Sequence, residues 1–210
     1  MPATVAPAEQ RVLLENVSWE TFERLLAENV NKPGTRFAYD EGMLEIMVVH
    51  SGHESPNRLL AKLAESVALE TGRDCWPVGS TTLLRSDLQK AFEPDSAYYF
   101  EHAETVQGDD KIDMAVDPPP ELIIEVDISR SSLNRFPIYA GIGIAEVWRF
   151  DGSRVRIYRL EGGHYAEVNE SRALPPLTAA QATRFLERRR LLKPVAWLDE
   201  VREWLREQRR

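Results

Sequence analysis

The chain has 210 residues, of which 43% are hydrophobic, and a formal net charge of −8. This length and hydrophobic content suffice for one compact domain with a buried core. The apolar runs are too short to span a membrane, and the N-terminus lacks the basic start and apolar core of a signal peptide. We therefore expect no membrane segment and a cytoplasmic location. The single cysteine, Cys75, excludes an internal disulfide and a cysteine-based metal site.

The charge is unevenly distributed along the chain. Residues 184–210 carry nine basic and five acidic side chains, a local charge of +4 that leaves −12 for the other 183 residues. Such an acidic body repels polyanions, so a nucleic-acid partner would need metal in the site or local basic contacts such as this tail. A solvated amphipathic helix is the simpler interpretation of the tail. Its predicted buried stripe is Trp197, Val201, Trp204 and Leu205.

Apolar spacing and turn residues predict the elements of the N-terminal half. Ser18 is a suitable N-cap for a first helix, and Gly72 ends a second helix. The predicted elements are a helix over residues 19–29, a hairpin of strands 36–40 and 44–48, a helix over 55–70, and strands near 81–85 and 96–100. We expect residues 1–17 to form an N-terminal tail.

The C-terminal half begins with a long acidic loop over residues 101–120. After it we predict a strand over 121–128, a short helix over 135–140, strands over 146–150, 155–160 and 164–168, and helices over 178–191 and 195–207. Pro137 fits only the first turn of the short helix. The prediction is thus an α/β chain of the α+β type with a hairpin-rich sheet. Residues 18–177 would form one domain, with 178–210 a helical extension packed on it.

Two carboxylates interrupt the apolar strand predicted over residues 121–128. Glu125 and Asp127 share one face of this strand, roughly 6.5 to 7 Å apart, because successive side chains point to opposite faces. Burying unpaired negative charge costs many kcal/mol, so the two groups need a cation, a proton or basic partners. A divalent metal is the simplest answer. The alternative is an edge strand on which both groups are ordinary surface acids.

Three short motifs resemble a known nuclease pattern. Pro94-Asp95 stands at the start of a predicted strand, Glu125-Val126-Asp127 lies within another about thirty residues later, and His53-Glu54 precedes the second helix. This arrangement resembles the PD-(D/E)XK nuclease superfamily. Residues 121–126 and 139–148 more closely resemble the Uma-two type of restriction endonuclease-like proteins. The likeness covers roughly residues 36–165.

The resemblance implies a restriction endonuclease-like fold, with a mixed central sheet flanked by helices, and a metal site. Asp95 and Glu125 would be the central ligands of Mg²⁺ or Mn²⁺, and Glu54 would be an additional helical acid. Asp127 stands where the superfamily pattern has lysine, and it would act as a ligand or a base unless the site has lost cleavage. Arg135 is the nearest replacement for that lysine, although a guanidinium is a poor proton acceptor.

The predicted function is a metal-dependent endonuclease that hydrolyses DNA. The first alternative is a nuclease-fold module that binds nucleic acid or protein without cleavage, and the second is a hydrolase of another phosphate ester. DNA is the expected partner, with Arg130 and Arg135 as candidate phosphate contacts, and a homodimer is a further hypothesis. His53 is either a ligand or base, or a structural hydrogen bonder at the helix start.

Overall fold

A computed structural model describes residues 9–29, 34–49, 51–108, 112–128 and 133–209 of the chain. Within these ranges the strands are, in chain order, β1 (Glu9–Leu14), β2 (Thr35–Asp40), β3 (Met43–Val49), β4 (Trp76–Pro77), β5 (Leu83–Arg85), β6 (Lys90–Phe92), β7 (Ser96–Tyr99), β8 (Leu122–Val126), β9 (Glu146–Phe150), β10 (Val155–Glu161) and β11 (His164–Val168). The α-helices are α1 (Trp19–Asn29), α2 (Ser51–Thr71), α3 (Ala103–Val106), α4 (Phe136–Ile142), α5 (Ala179–Arg189) and α6 (Pro194–Gln208).

The strands form two sheets. One has five strands in the order β1-β3-β2-β6-β5, and the other has six in the order β11-β10-β9-β8-β7-β4. All described strand pairs are antiparallel except β8 and β9, which are parallel. A parallel pair needs a crossover connection, and α4 provides it. The carboxyl ends of β8 and β9 therefore meet at one edge, beside the N-terminus of α4.

The six-stranded sheet separates two regions of the core. On one face its apolar side chains, such as Val126 and Trp148, pack with α2, α5 and α6. On the other face Ile123 and Val147 pack with α4 and with the inner face of the five-stranded sheet. Both faces are thus covered, so any charged side chain within β8 lies in the interior. This enclosure explains why the strand reads as an almost continuous apolar run.

The helix α4 has defined ends. Pro137 occupies its first turn, where a missing N–H costs nothing, as predicted. Gly143 follows the helix with φ of +95°, and its N–H donates to the carbonyl of Tyr139. A left-handed residue at this position favours glycine because a Cβ would be strained there. The proline and the glycine thus define the two ends of α4. Arg135 lies just before the helix, and Tyr139 lies one helical turn after Arg135.

The α/β fold class is confirmed, and so are most of the predicted elements. The hairpin of β2 and β3 has the two-residue turn Glu41-Gly42, in which both residues have positive φ, as the right-handed twist of the strands requires. Trp197, Val201 and Leu205 form the buried stripe of α6. No helix of the described part of the chain is long and apolar enough to cross a membrane.

Two features differ from the prediction. The β2–β3 hairpin belongs to a separate sheet instead of the central one, because β6 pairs with β2 and not with β7. In addition, β1 lies within the segment expected to be a tail. It pairs along its length with β3, and its alternation turns Arg11 and Leu13 inward while Val12 and Leu14 stay partly exposed. The strand was missed because its inward positions include a charged residue.

Candidate functional site

The candidate site lies at the carboxyl ends of β8 and β9. A pocket of about 310 Å³ opens there between the six-stranded sheet, α4 and β1. Its lining residues are Arg11, Glu125, Asp127, Leu133, Asn134, Arg135, Phe136, Tyr139, Val147 and Arg149. The carboxyl ends of parallel strands are a common location for ligand sites in α/β proteins. Three of the predicted site residues, Glu125, Asp127 and Arg135, meet in this pocket.

Glu125 is held in a defined orientation on the face of β8 that packs against α4. Its side chain is 7% exposed. Its Oε1 accepts a hydrogen bond of 2.9 Å from the hydroxyl of Tyr139, and its Oε2 lies 3.6 Å from Nη1 of Arg135. Burial, and after it the charge of Glu125, raises the pKa of Tyr139 well above its usual value. Tyr139 therefore remains a hydrogen-bond donor to Glu125 at neutral pH.

Arg135 is anchored by a buried carboxylate on the other sheet. Glu45 of β3 is fully buried, and its Oε1 accepts hydrogen bonds from Nε and Nη2 of Arg135 at 3.1 and 2.6 Å. The same oxygen accepts a bond of 3.1 Å from Nη1 of Arg11. Burial alone would lower the pKa of Arg135, but Tyr139, Glu125 and Glu45 outweigh it, so the pKa is raised. Arg135 is thus a permanent cation in the pocket.

Asp127, directly after β8, is paired with two arginines. Its Oδ1 accepts a hydrogen bond of 3.0 Å from Nη2 of Arg11, and its Oδ2 accepts one from Nη2 of Arg149. Burial lowers the pKa of Arg149, but the charge and hydrogen bond of Asp127 raise it by more. Basic partners, one of the answers that the sequence left open, therefore stabilise this carboxylate. Asp127 is not a free surface acid, because its side chain is only 10% exposed.

The ionised groups around the pocket balance one another. The network contains three arginines, Arg11, Arg135 and Arg149, and three carboxylates. Each of these described carboxylates thus faces at least one guanidinium, which reduces the cost of burying both members of the pair. All three arginines line the pocket, and Arg149 is the most exposed of them, at 35% against 8% for Arg11 and Arg135.

Asp95 lies beside Glu125 on the neighbouring strand. The antiparallel register pairs Ser96 with Ile124, so Asp95, one residue earlier, falls next to Glu125. The Oδ2 of Asp95 accepts a hydrogen bond of 2.7 Å from the backbone N–H of Val126. The Asp95 side chain is buried but does not line the pocket. The register thus places Asp95 opposite Glu125, whereas the convergence of the two carboxylates on a metal stays a prediction.

A divalent metal requires oxygen ligands of particular types. Mg²⁺ is commonly held by one or two carboxylates together with water and substrate phosphate, and Asp95 and Glu125 are ligands of that type on neighbouring strands. Asp127 fits poorly, because arginines bind both of its oxygens. Among the described side chains, no group of three or more His, Cys, Asp or Glu is arranged to hold a metal ion. The pair Asp95 and Glu125 is thus the better candidate.

Some predicted residues lie outside what the structure describes. The backbone of Glu54 lies in the first turn of α2, which begins four residues earlier than expected, but the side chains of His53 and Glu54 are outside the described part, as is all of Arg130. Cys75 is half-buried, and burial followed by the nearby charge of Glu65 raises its pKa to about 11. A thiol with this pKa is no nucleophile at neutral pH.

Four members of the site were not predicted from the sequence. Glu45, Arg11 and Arg149 were not singled out, and Tyr139 was named only as the first residue of the segment 139–148 that carries the family resemblance. Glu45 interrupts an apolar strand just as Glu125 does, so the same signal could have identified it. No local signal marks Arg11 or Arg149, because their partners are distant in sequence.

Comparison with known proteins places the chain in a family. The model of Uma2, described as a putative restriction endonuclease, matches residues 19–189. The chain belongs to this family. The match includes Asp95, Glu125, Asp127 and Arg135, whereas β1 with Arg11 precedes it.

A solved structure supports the same fold. The crystal structure of a putative nuclease of the DUF820 family from Anabaena variabilis is similar to this chain with a TM-score of 0.55. The sequence identity is 13%, and the match covers 87% of this chain and 99% of that one. At this identity the likeness establishes the fold alone. The comparison with curated proteins gives no match.

Proposed function

We propose that the pocket is the active site of a metal-dependent endonuclease that hydrolyses DNA phosphodiester bonds, with Asp95 and Glu125 as the ligands of Mg²⁺ or Mn²⁺. The observation that carries the proposal is the adjacency of these two buried carboxylates at the edge where β8 ends. Membership of a restriction endonuclease-like family supports the same substrate class.

A bound divalent ion would supply two things here: it lowers the pKa of water and it stabilises negative charge on a phosphate oxygen. The chain's own residues prepare the site. Tyr139 fixes the orientation of Glu125 through its hydrogen bond, and Glu45 holds the guanidinium of Arg135 close to Glu125. Arg135 can neutralise charge that develops on the phosphate, but its raised pKa prevents it from accepting a proton.

In this proposal Asp127 positions the arginines. The superfamily pattern has a lysine at this position. Asp127 brings positive charge there indirectly, because its carboxylate holds Arg11 and Arg149 at the pocket. Arg149, which is 35% exposed, has the guanidinium better placed to contact a phosphate. The alternative proposal is that Asp127 itself acts as a metal ligand or a base. Glu54, as an additional acid from α2, also remains part of the proposal.

A binding module without cleavage is the second candidate function. The observation that favours it is the composition of the pocket, since none of its described lining residues is a lysine. The cations among the described lining residues are arginines, which stay protonated and are therefore suited to bind a phosphate but not to activate water. Such a module would bind DNA and leave it intact.

Cleavage of supercoiled plasmid with Mn²⁺ separates the two candidates. The proposal expects nicking by the wild type, no nicking in EDTA, and none by Glu125→Gln, which keeps the size of the side chain. Glu161→Gln is the matched control, because this side chain at the end of β10 is 58% exposed and does not line the pocket, and the variant should cut normally. Binding without nicking by the wild type, over a panel of duplex, single-stranded and branched DNA, would establish the binding module instead.

The cytoplasmic location and the homodimer also remain proposals. The edge strand β1 exposes Val12 at 55% and Leu14 at 40%, which offers an apolar surface for a second copy. Light scattering coupled to gel filtration gives the mass directly. A monomer at all tested concentrations would contradict the homodimer.

A further inference from the structure

A second concavity lies on the opposite face of the six-stranded sheet. It is a groove of about 680 Å³ between the N-terminal half of α2 and the connection from α5 to α6. Four basic residues line it: Arg58 and Lys62 from α2, and Arg189 and Arg190 from the end of α5. None of the described lining residues is acidic, although the chain as a whole carries a charge of −8. The groove is therefore a local basic surface on an acidic molecule.

The basic groove reaches the same strand end as the candidate site. Phe150, the last residue of β9, lines the groove, whereas Arg149 lines the pocket on the other face. Their Cα atoms are about 3.8 Å apart, as for any consecutive residues. The backbone N–H of Asp127 also donates to the carbonyl of Phe150 at 2.8 Å. The pocket and the groove thus flank one edge of the sheet.

The side chains on the two sides of the groove are suited to contact a charged backbone. Arg58 and Lys62 are four residues apart and so lie on one face of α2, one turn from each other. Both are exposed, and Arg190 on the other side is exposed as well. Exposed cations bind phosphates in a salt-dependent way and without sequence preference.

We propose that this groove binds the sugar-phosphate backbone of duplex DNA beside the phosphate held in the pocket. The inference rests on the proposed function, since it gives the same substrate a second contact surface. It also answers the electrostatic problem posed by the sequence, in which an acidic body needs local basic contacts to retain a polyanion. Of the basic segment 184–210, the residues at the end of α5 would then contact DNA.

The salt dependence of DNA binding tests the groove. Fluorescence anisotropy in EDTA would measure the affinity of the full chain for a labelled duplex of twenty base pairs at several salt concentrations. The variant Lys62→Gln/Arg190→Gln removes one charge from each side of the groove. We expect the slope of log K against log salt to become shallower by about 1.8, since each lost phosphate contact contributes about 0.9.

The control removes two charges elsewhere. Arg172 lines a different pocket, with Glu121 and Glu146 at the start of β8 and β9, and Arg206 lies in the last turn of α6. The variant Arg172→Gln/Arg206→Gln should keep the wild-type slope. Equal slopes for the groove variant and the wild type would overturn the proposal, as would binding of the groove to anionic lipid vesicles but not to DNA. Because EDTA prevents metal-dependent cleavage, this result does not depend on whether the pocket cuts DNA.

Discussion

The buried network predicts a large cost for removing the charge of Glu45. This carboxylate is fully buried and accepts three guanidinium hydrogen bonds, at 2.6, 3.1 and 3.1 Å. Glu45→Gln keeps the shape but makes the acceptor neutral. The donors stay charged, so what each hydrogen bond loses is the opposite charge of its acceptor, about 1 kcal/mol for each bond and about 3 kcal/mol for the three. This agrees with the range for breaking a buried ion pair, about 3 to 5 kcal/mol.

The assay is equilibrium unfolding in urea, supported by thermal unfolding. For a chain of this size, a loss of about 3 kcal/mol lowers the melting temperature by roughly 6 to 12 °C. Glu41→Gln is the matched control, since Glu41 pairs with Lys90 at 3.1 Å but its side chain is 70% exposed. An exposed pair contributes at most about 1 kcal/mol. If Glu45→Gln were no less stable than Glu41→Gln, the account of the buried network would be refuted.

Three further predictions follow from the site and its surroundings. Tyr139→Phe removes the hydroxyl that donates to Glu125 and should destabilise the fold by about 1 to 3 kcal/mol in urea; unchanged stability would contradict the bond. Burial raises the pKa of Glu93, so its folded state binds protons more tightly and its contribution to stability falls as the pH rises above 4.5. Glu93→Gln should therefore gain stability relative to the wild type between pH 4.5 and 7. If the difference in stability between the two proteins stayed constant over this range, the raised pKa of Glu93 would be contradicted. Partial burial acts to raise the pKa of Asp151, but hydrogen bonds, led by that of Ser153, outweigh it and lower the pKa to about 2. Asp151→Asn should therefore be less stable than the wild type above pH 3.8 and equally stable as the pH falls through 2. A loss that persists at pH 2 would refute this assignment.

The local patterns of the sequence predicted the elements around the site but not the second sheet. The alternation of apolar residues around Glu125 and the position of Pro137 are both local signals, and each predicted its element correctly. Which strand pairs with which is decided by contacts between distant residues. The pairing of β2 with β6 joins Ala38 and Phe92, for example, and nothing local encodes it.

The same limit applies to the chemistry of the site. The sequence indicated that buried carboxylates need a counter-charge, and a metal was the simplest source. The structure provides cations for Asp127 from Arg11, 116 residues earlier, and from Arg149 on the next strand. Since these partners meet only after the two sheets pack, spacing along the chain could not reveal them. The pair Asp95 and Glu125 could be proposed from the sequence by its resemblance to a family motif, and the register of β7 with β8 places the two residues opposite each other.

The binding of Mn²⁺ to the protein tests the central claim most directly. Calorimetric titration of the wild type, Asp95→Asn and Asp127→Asn, each checked for folding by circular dichroism, separates the two assignments of the ligands. The account predicts that the wild type and Asp127→Asn bind Mn²⁺ and that Asp95→Asn does not, because the metal needs the carboxylate beside Glu125 and not the one held by arginines. Binding by Asp95→Asn as tight as by the wild type, or loss of binding in Asp127→Asn alone, would contradict it.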